Sequence, residues 1–196
     1  MDYFKNAELW EAYGTTEGGL ITLLRPEDQF EKLGSIGREI FGTDRIKILD
    51  DKREEVQDGE VGEIFYRTPM IFKAYLNEPD KTRDAFHGEW STAGDMGRRD
   101  AGGFYTLVDR KANMIITGGE NVYPSEVENI IGGHPAVRDI AVIGLADEKW
   151  GEAVRAIVVL HNLYGPSREL KDEILAFGKG RLAGYKRPKR DRKSVV

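Results

Sequence analysis

The sequence lacks cysteine altogether, and it has no apolar run long enough to cross a membrane. The absence of cysteine excludes disulfides, thiol catalysis and thiolate metal ligands. The N-terminus also lacks the apolar core of a secretory signal peptide. Together these absences predict a cytoplasmic protein without a membrane span.

Positive charge is too scarce for the chain as a whole to be a nucleic-acid-binding protein. Lys and Arg number 29 against 34 Asp and Glu, which gives a net charge of -5, whereas nucleic-acid binders are typically basic. Of the 196 residues, 40% are hydrophobic and 32% are charged, as in one globular domain or two small ones. The 23 glycines predict many tight turns.

The sequence does contain a central stretch, Asp95 to Glu128, in which two apolar runs flank a polar one. Phe104 to Val108 is aromatic and β-branched and follows the turn-forming Asp100–Gly103, so it predicts a strand. Met114 to Thr117 predicts a second short strand. Residues 109–113 between them are polar and do not alternate, which fits a domain boundary as well as an ordinary surface loop.

A turn and a helix start follow the second of these strands. Gly118 and Gly119 close the strand, and Pro124 stands where proline opens a helix. Glu126 and Glu128 then fall in the first turns, where acidic side chains suit the helix dipole. The pattern predicts a strand, a glycine turn and a helix in close succession.

Near the N-terminus, an apolar run from Leu9 to Tyr13 predicts a buried strand that leads into the glycine-rich stretch Tyr13–Gly19. This stretch presents an aromatic ring, two hydroxyls and one carboxylate. Such groups suit a nucleotide, because a ring can stack on a base, hydroxyls and backbone amides can bind a phosphate, and a carboxylate can bind Mg²⁺. Taken alone, the same residues fit a turn with incidental polar side chains.

The remaining segments predict an α+β chain. Before the central stretch we expect strands at 21–24, 45–49 and 62–66, a solvated hairpin tip at 50–55, and a helix capped by Asn77 that ends near Phe86. After it we expect a helix at 124–131, strands at 137–145 and 153–160, and a helix from Arg168 to about Leu182 with Ser167 as N-cap.

Three further features have more than one interpretation. Asp95, beside Gly94 at a strand end, can accept two hydrogen bonds from a ribose diol or form an Asx-type turn. Trp150 lies in the polar loop 147–152, where the ring is either a contact residue or a partly buried structural side chain. The basic tail from Gly184 is typical of a solvated chain end, with nucleic-acid binding as the second interpretation.

These motifs together resemble the adenylate-forming superfamily, which includes acyl- and aryl-CoA synthetases, luciferases and the adenylation domains of peptide synthetases. The resemblance is carried by Tyr13–Glu17, Gly94-Asp95, Asp109-Arg110, the eleven residues Gly118–Glu128, and Gly184–Arg190. It implies that residues 1–109 are the third, barrel-like subdomain of a large N-terminal domain. Residues 110–196 would then be a small α+β C-terminal domain across a hinge at Ala112.

The resemblance also implies roles for individual residues. Tyr13 would pack on adenine, Thr16 would contact the α-phosphate, Asp95 and Arg110 would bind the nucleotide, and Glu17 would bind Mg²⁺. Gly14 and Thr15 would border the acyl carboxylate. On the CoA side, Gly118 and Gly119 would form the floor of a pantetheine tunnel that runs along Trp150, and Arg187 would meet the 3′-phosphate.

Three departures from the family pattern qualify this expectation. The 196 residues contain neither the family's phosphate loop and adenine-binding strand nor its catalytic lysine, and residues 191–196 do not resemble the strand expected there. The hinge position, usually Asp or Lys, is Ala112. We therefore expect a fragment of an ATP-dependent acid–CoA ligase that is inactive alone. The alternatives are a fragment of a carrier-protein adenylation domain and a non-catalytic nucleotide- or CoA-binding module.

Substrates and assembly follow from the same resemblance. The intact relative would use a carboxylic acid, ATP with Mg²⁺, and CoA. The sequence does not identify the acid. Homo-oligomers through an exposed apolar face of the N-terminal part are a further expectation.

Overall fold

A computed structural model describes residues 6–40 and 45–189, except for the Arg45 side chain. The chain divides into two compact units, Met1–Lys111 and Ala112–Val196. The division falls two residues after the boundary expected from the sequence. Each unit is described by itself. No helix within the described ranges has the length and apolar character that a bilayer span needs.

The first unit begins with an antiparallel three-stranded sheet in the order β1-β2-β3. Its strands are β1 (Glu11–Thr15), β2 (Gly19–Leu24) and β3 (Arg38–Glu39), with a 3-10 helix at Pro26–Asp28. The expectation of a buried strand from Leu9 was wrong, since Leu9 and Trp10 are 50% and 48% exposed and β1 begins only at Glu11. These two residues lie ahead of β1, outside the described sheet.

The second sheet of this unit has six strands, with β5 at its centre. They are β4 (Arg45–Leu49), β5 (Gly62–Arg67), β6 (Phe86–His87), β7 (Trp90–Ser91), β8 (Asp95–Arg99) and β9 (Tyr105–Arg110), and helix α1 (Pro79–Asp84) precedes β6. The order is β6-β7-β5-β8-β9, and β4 pairs with β5. The unit is strand-rich, as expected, but the described strands form open sheets and close no barrel.

Glycine and tyrosine tie the two sheets together. Gly37 bridges Tyr105 of β9, whose N–H donates to the Gly37 carbonyl over 2.9 Å. Tyr105 belongs to a core with Ile21, Ile46, Ile48, Ile64 and Tyr66, which draws on both sheets. The two sheets therefore share this core.

Two local predictions in this unit need correction or refinement. Asn77 does not cap α1, because the N-cap is Glu78 and Asn77 has a left-handed φ of 58°. Asparagine tolerates that conformation, and it turns the chain just ahead of Pro79 at the helix start. The charged tip between β4 and β5 is an ordered turn in which Asp50 Oδ1 accepts hydrogen bonds from the amides of Lys52 and Glu54.

In its described residues, 112–189, the second unit is a four-stranded sheet with two α-helices. Its elements are β10 (Ile115–Thr117), β11 (Glu120–Val122), α2 (Pro124–Ile131), β12 (Val137–Asp147), β13 (Gly151–Leu160) and α3 (Arg168–Phe177), in sheet order β11-β10-β13-β12. A 3-10 helix, Lys111–Asn113, forms the polar crossing ahead of β10. β11 was not predicted from the sequence.

Both helices of this unit contribute to one apolar core. Val127 and Ile131 of α2 and Ile174 of α3 pack with Val142 and Val154 of the long β12–β13 hairpin. Ser167 caps α3 as predicted, because its Oγ accepts a hydrogen bond from the Leu170 amide over 3.1 Å. The helix ends at Phe177 and not near Leu182, and the C-cap is Gly178, a residue of low helix propensity.

Candidate functional site

The residues that the sequence assigned to nucleotide binding line a single cleft of about 600 Å³ in the first unit. The cleft lies where the end of β1, the start of β8 and the end of β9 meet. Its walls include Tyr13, Gly14, Thr15, Thr16, Glu17, Asp95 and Arg110. The fold thus gathers segments from both sheets around one open space.

Asp95 is the centre of this cleft. It is buried, and its Oδ2 accepts a hydrogen bond from the Tyr13 hydroxyl over 2.7 Å. Its Oδ1 lies 3.2 Å from Nε of Arg110, the residue directly opposite it in the β8–β9 ladder. Each carboxylate oxygen can accept a further hydrogen bond, so the group is held in place while retaining capacity for a ligand.

The Tyr13 phenol is fixed in its neutral form. Burial raises the pKa of Tyr13 far above its ordinary value, and the neighbouring Asp95 carboxylate raises it further. The hydroxyl therefore acts as a donor to Asp95. The strand register shifts between Tyr13 and Gly14, and a Cβ at Gly14 would lie 2.3 Å from the Gly19 carbonyl oxygen. Glycine is required at that step of the hairpin.

Two tyrosines that the sequence did not identify support the loop after β1. The Tyr66 and Thr15 hydroxyls are 2.7 Å apart, and Thr15 Oγ1 also accepts a hydrogen bond from the Gly18 amide. The Tyr75 hydroxyl donates to Oε1 of Glu17 over 2.7 Å. No sequence signal pointed to this pair of tyrosines, because Tyr66 reads as a core residue of β5 and Tyr75 as part of a loop.

Glu17 is a single carboxylate and not part of a metal cage. Within residues 6–40 and 45–189 there is no group of three or more His, Asp or Glu side chains placed to hold a metal ion. Mg²⁺ is commonly bound through one or two carboxylates, with waters and substrate phosphates supplying the other ligands. The donor set around Glu17 fits that mode of Mg²⁺ binding.

In the second unit Gly118 contacts Trp150. The resemblance places both residues along the same pantetheine tunnel. Gly118 and Gly119 have left-handed φ angles of 63° and 85° and form the turn between β10 and β11. The Gly118 amide donates to the Trp150 carbonyl over 2.8 Å, and a Cβ at Gly118 would lie 2.8 Å from Cε3 of the Trp150 ring. The ring therefore packs directly on the glycine backbone.

Trp150 is 41% exposed and carries two lysines on its ring. Lys149 Nζ lies 4.8 Å and Lys189 Nζ lies 5.1 Å from the ring centroid, within the range of cation–π attraction. The predicted tail cation was Arg187, which is half-buried and has a buried Nε without a hydrogen-bond partner. Sequence reasoning missed Lys189, although it belongs to the same basic run.

The basic tail from Gly184 to Lys189 is not a solvated chain end, because several of its residues contact the rest of the second unit. Lys186 Nζ contacts both carboxylate oxygens of Glu126 at 2.9 and 2.7 Å. The Lys189 amide donates to the Val154 carbonyl, and Arg155 Nη1 donates to the Lys189 carbonyl over 2.8 Å. The basic residues therefore bind the unit itself. Ala112, the predicted hinge residue, is exposed in the 3-10 helix at the division of the two units.

Comparison with known sequences identifies the family to which this α+β architecture belongs. The family model described as AMP-binding enzyme matches residues 1–76, and the model described as AMP-binding enzyme C-terminal domain matches residues 126–195. The chain belongs to the adenylate-forming family of AMP-binding enzymes.

Its relatives include several acid–CoA ligases. The chain is 43% identical to the long-chain-fatty-acid–CoA ligase FadD13 of Mycobacterium tuberculosis, over 95% of this chain and 36% of the relative. It is 42% identical to a feruloyl-CoA synthase of an Amycolatopsis species, over 91% of this chain and 36% of the relative. The chain therefore spans a little over a third of the length of these relatives.

Solved structures give the same result. The o-succinylbenzoate CoA synthetase of Bacillus subtilis, in complex with its acyl-adenylate intermediate, superimposes with a TM-score of 0.82 at 38% identity. The match covers 95% of this chain and 37% of that one. The same enzyme has been solved with ATP and a magnesium ion, with a TM-score of 0.78 over 95% of this chain and 38% of that one.

Proposed function

We propose that this chain supplies the adenosine-binding cleft and the CoA-facing surface of an ATP-dependent acid–CoA ligase. The observation that carries the proposal is the convergence of Tyr13, Asp95 and Arg110 in one cleft of the first unit. The support from relatives is that those described above are acid–CoA ligases or synthases.

In the cleft, Asp95 is the ribose ligand. Its carboxylate is pinned by Tyr13 on one oxygen and Arg110 on the other, and the remaining lone pairs accept the two ribose hydroxyls. The Tyr13 ring packs on adenine, and the largely exposed Arg110 guanidinium reaches the nucleotide from the rim. Because the three side chains already hold one another, nucleotide binding needs little reordering of them.

The loop after β1 handles the phosphate and the acid. Thr16 contacts the α-phosphate, and Gly14 and Thr15 border the acyl carboxylate. Glu17, oriented by the Tyr75 hydroxyl, is the protein's ligand for Mg²⁺. When bound, Mg²⁺ supplies positive charge that offsets the charge developing on the phosphates.

In the second unit, Gly118, Gly119 and Trp150 form the surface for the pantetheine arm of CoA. The left-handed turn presents bare backbone beside the Trp150 ring, which suits a narrow, flexible ligand. In an intact ligase, Arg187 binds the 3′-phosphate, because a guanidinium grips phosphate with two parallel hydrogen bonds. Ala112 is the hinge residue.

Nucleotide binding tests the cleft directly. AMP titrated into the chain by calorimetry should bind with about millimolar affinity, which corresponds to about 4 kcal/mol. Asp95→Asn should weaken it at least tenfold, since a hydrogen bond to a charged group contributes about 1.5–3 kcal/mol. Asp139→Asn is the matched control, because Asp139 is exposed in the second unit and bonds only its neighbour's amide. Equal AMP binding by the wild-type chain and Asp95→Asn would contradict the proposal.

Catalysis by the chain alone is a separate question. Its 196 residues contain no segment that resembles the phosphate loop or the catalytic lysine of the family. We expect no acid-dependent ATP–pyrophosphate exchange with a panel of fatty, aromatic and dicarboxylic acids. Exchange above background with any of these acids would show that the chain is a complete catalyst.

CoA binding distinguishes a ligase part from an independent binding module. One charge-assisted contact of Arg187 contributes about 1.5–3 kcal/mol, less than the roughly 4 kcal/mol that millimolar affinity requires. For the chain by itself we therefore expect CoA to bind with weaker than millimolar affinity. The affinities for CoA and dephospho-CoA should show no difference that disappears in Arg187→Ala. Micromolar, Arg187-dependent binding in calorimetry or NMR titration would favour the binding module instead.

A further inference from the structure

Glu17 is held at two points by the segment that follows β5. The Phe72 amide donates to the Glu17 carbonyl over 2.7 Å, and the Tyr75 hydroxyl donates to Oε1 of the Glu17 side chain, also over 2.7 Å. Beside them, Thr68 Oγ1 donates to the Gly18 carbonyl over 2.7 Å. Within the described ranges, Oε2 of Glu17 makes no hydrogen bond or ion pair. One carboxylate oxygen is therefore engaged and the other is available to a ligand.

Tyr75 is itself held through both its backbone and its ring. Its amide donates to Thr82 Oγ1 of α1 over 2.9 Å. Its ring packs against Phe72, with the ring centroids 4.8 Å apart, and Lys81 Nζ lies 4.4 Å from the Tyr75 centroid, within the range of cation–π attraction. These contacts fix the position from which the hydroxyl reaches Glu17, so the carboxylate is tied through Tyr75 to the start of α1.

The hydrogen bond from Tyr75 restricts how the Glu17 carboxylate can bind a cation. A tyrosine hydroxyl is protonated at neutral pH, so Oε1 accepts its proton and has a phenol oxygen at 2.7 Å. A cation chelated by both carboxylate oxygens would have to share Oε1 with this donor and would weaken the hydrogen bond. A cation bound through Oε2 alone leaves the hydrogen bond intact. The arrangement therefore favours binding through a single oxygen.

Binding through one carboxylate oxygen distinguishes two common divalent cations. Mg²⁺ requires nearly octahedral geometry, retains several waters and is usually bound through one or two carboxylates together with substrate phosphates. Ca²⁺ takes about six to eight oxygen ligands, and a bidentate carboxylate can supply two of them. A carboxylate with one engaged oxygen thus denies Ca²⁺ a ligand that Mg²⁺ does not need.

We propose that Tyr75 is a positioning residue that makes the Glu17 site selective for Mg²⁺ over Ca²⁺. The role of Tyr75 rests on the proposed function, in which Glu17 is the protein's ligand for the Mg²⁺ that accompanies the nucleotide. The selectivity arises from a hydroxyl that holds the carboxylate and not from an additional metal ligand. Removal of the hydroxyl frees Oε1 for chelation, and Ca²⁺ gains more from this change than Mg²⁺ does.

The test is titration of MgCl₂ and of CaCl₂ into the isotope-labelled full chain, with and without AMP. NMR shifts of the Glu17 amide and of its carboxyl carbon report binding of either cation. Tyr75→Phe should raise the ratio of Ca²⁺ affinity to Mg²⁺ affinity about tenfold, the effect of one hydrogen bond to a charged group. Tyr164→Phe, at an exposed tyrosine of the second unit, is the matched control and should leave the ratio unchanged. Glu17→Gln should abolish binding of both cations at this site.

The ratio separates selectivity from mere support of the loop, because a loosened loop would weaken both cations alike. An unchanged ratio in Tyr75→Phe, whether or not both affinities fall together, would overturn the role of Tyr75 and leave the proposed function standing. If neither cation shifts the Glu17 resonances of the wild-type chain, with or without AMP, Glu17 is not the metal ligand. That result would overturn both the role of Tyr75 and the proposed metal site.

Discussion

The two candidate sites of this chain are preorganised by different means. In the first unit, Tyr13 and Asp95 are 82 positions apart in sequence, and hydrogen bonds and an ion pair to Arg110 hold the polar groups in place. In the second unit, Gly118 and Trp150 are positioned by a left-handed turn and by close packing of a ring on bare backbone. The first arrangement depends on charge and protonation, and the second depends on shape. Mutations that change either property should affect one unit and spare the other.

The largest expected effect is on the first unit, at the junction of its sheets. Gly37 has a φ of 89°, and a Cβ there would lie 2.1 Å from the Leu23 carbonyl carbon. Gly37→Ala should lower the stability of this unit by about 4 kcal/mol, from backbone strain and overpacking together. Gly34→Ala is the control, because Gly34 has a φ of 78° but nothing within 4 Å, and should cost about 1 kcal/mol.

Amide hydrogen exchange measures the loss of stability in Gly37→Ala separately for each unit. Protection of the Tyr66 amide should fall in Gly37→Ala, whereas protection of the Val154 amide in the second unit should not change. Equal losses in Gly37→Ala and Gly34→Ala would mean that the close approach to Leu23 contributes nothing.

Alkaline pH should destabilise the first unit through its buried tyrosine Tyr66. Burial raises the pKa of Tyr66 from 10.0 to about 12. Between those values the folded state binds more protons than the unfolded state, so the free energy of unfolding falls as pH rises. Tyr66 contributes a loss of about 2 kcal/mol across this window. In Tyr66→Phe the decline above pH 10 should be shallower by that amount, although stability at neutral pH is lower because the contact with Thr15 is gone.

The measurement is chemical denaturation at several pH values between 8 and roughly 12, the range set by the ordinary and raised tyrosine pKa. Tyr164→Phe, an exposed position in the second unit, is the control and should leave the pH profile as in the wild-type chain. A Tyr66→Phe profile parallel to that of the wild-type chain would refute the assignment.

The close packing of Trp150 in the second unit is tested by substitutions at Gly118 and Gly119. Gly118 and Gly119 both have positive φ, but only Gly118 has the Trp150 ring beside its would-be Cβ, and Gly119 has nothing within 4 Å. Gly118→Ala should therefore cost about 1 kcal/mol more than Gly119→Ala. Trp150 emission should shift to longer wavelength only in Gly118→Ala, as the ring is displaced into water. Identical spectra for the two variants would contradict the contact.

The smallest expected effect is association through the first unit. Phe30 and Leu33 are 81% and 82% exposed in the segment between the 3-10 helix and β3. We expect the chain to self-associate at high protein concentration. The double variant Phe30→Ser/Leu33→Ser should be shifted toward monomer in analytical ultracentrifugation. Leu163→Ser, at a leucine of the second unit that is 94% exposed, is the control and should leave the association constant unchanged.

Segments with strong local signals were predictable from the sequence. Helix α2 runs from Pro124 to Ile131, as expected, because proline fixes its start and Gly132 its end. β4 and the start of β5 also lie where alternation and apolar character placed them. Local chemistry decided the boundaries of these elements.

Burial and side-chain partners were not predictable in the same way. Leu9 and Trp10 look like core residues, yet they lie ahead of β1 and are about half exposed. The contacts of Tyr66, Tyr75 and Lys189 arise from tertiary pairing, which leaves no local pattern. The roles given to the cleft residues came from resemblance, and they stay predictions until ligand binding is measured.

The contact between Gly118 and Trp150 has an evolutionary consequence. Since a single methyl group at 118 would lie 2.8 Å from the ring, the two positions are coupled. A lineage that enlarges residue 118 and keeps the tryptophan loses the packing of the ring on the glycine backbone, whereas one that also exchanges the tryptophan for a smaller side chain avoids the overlap. Among homologues, replacement of the glycine should therefore be found more often with replacement of the tryptophan than without it.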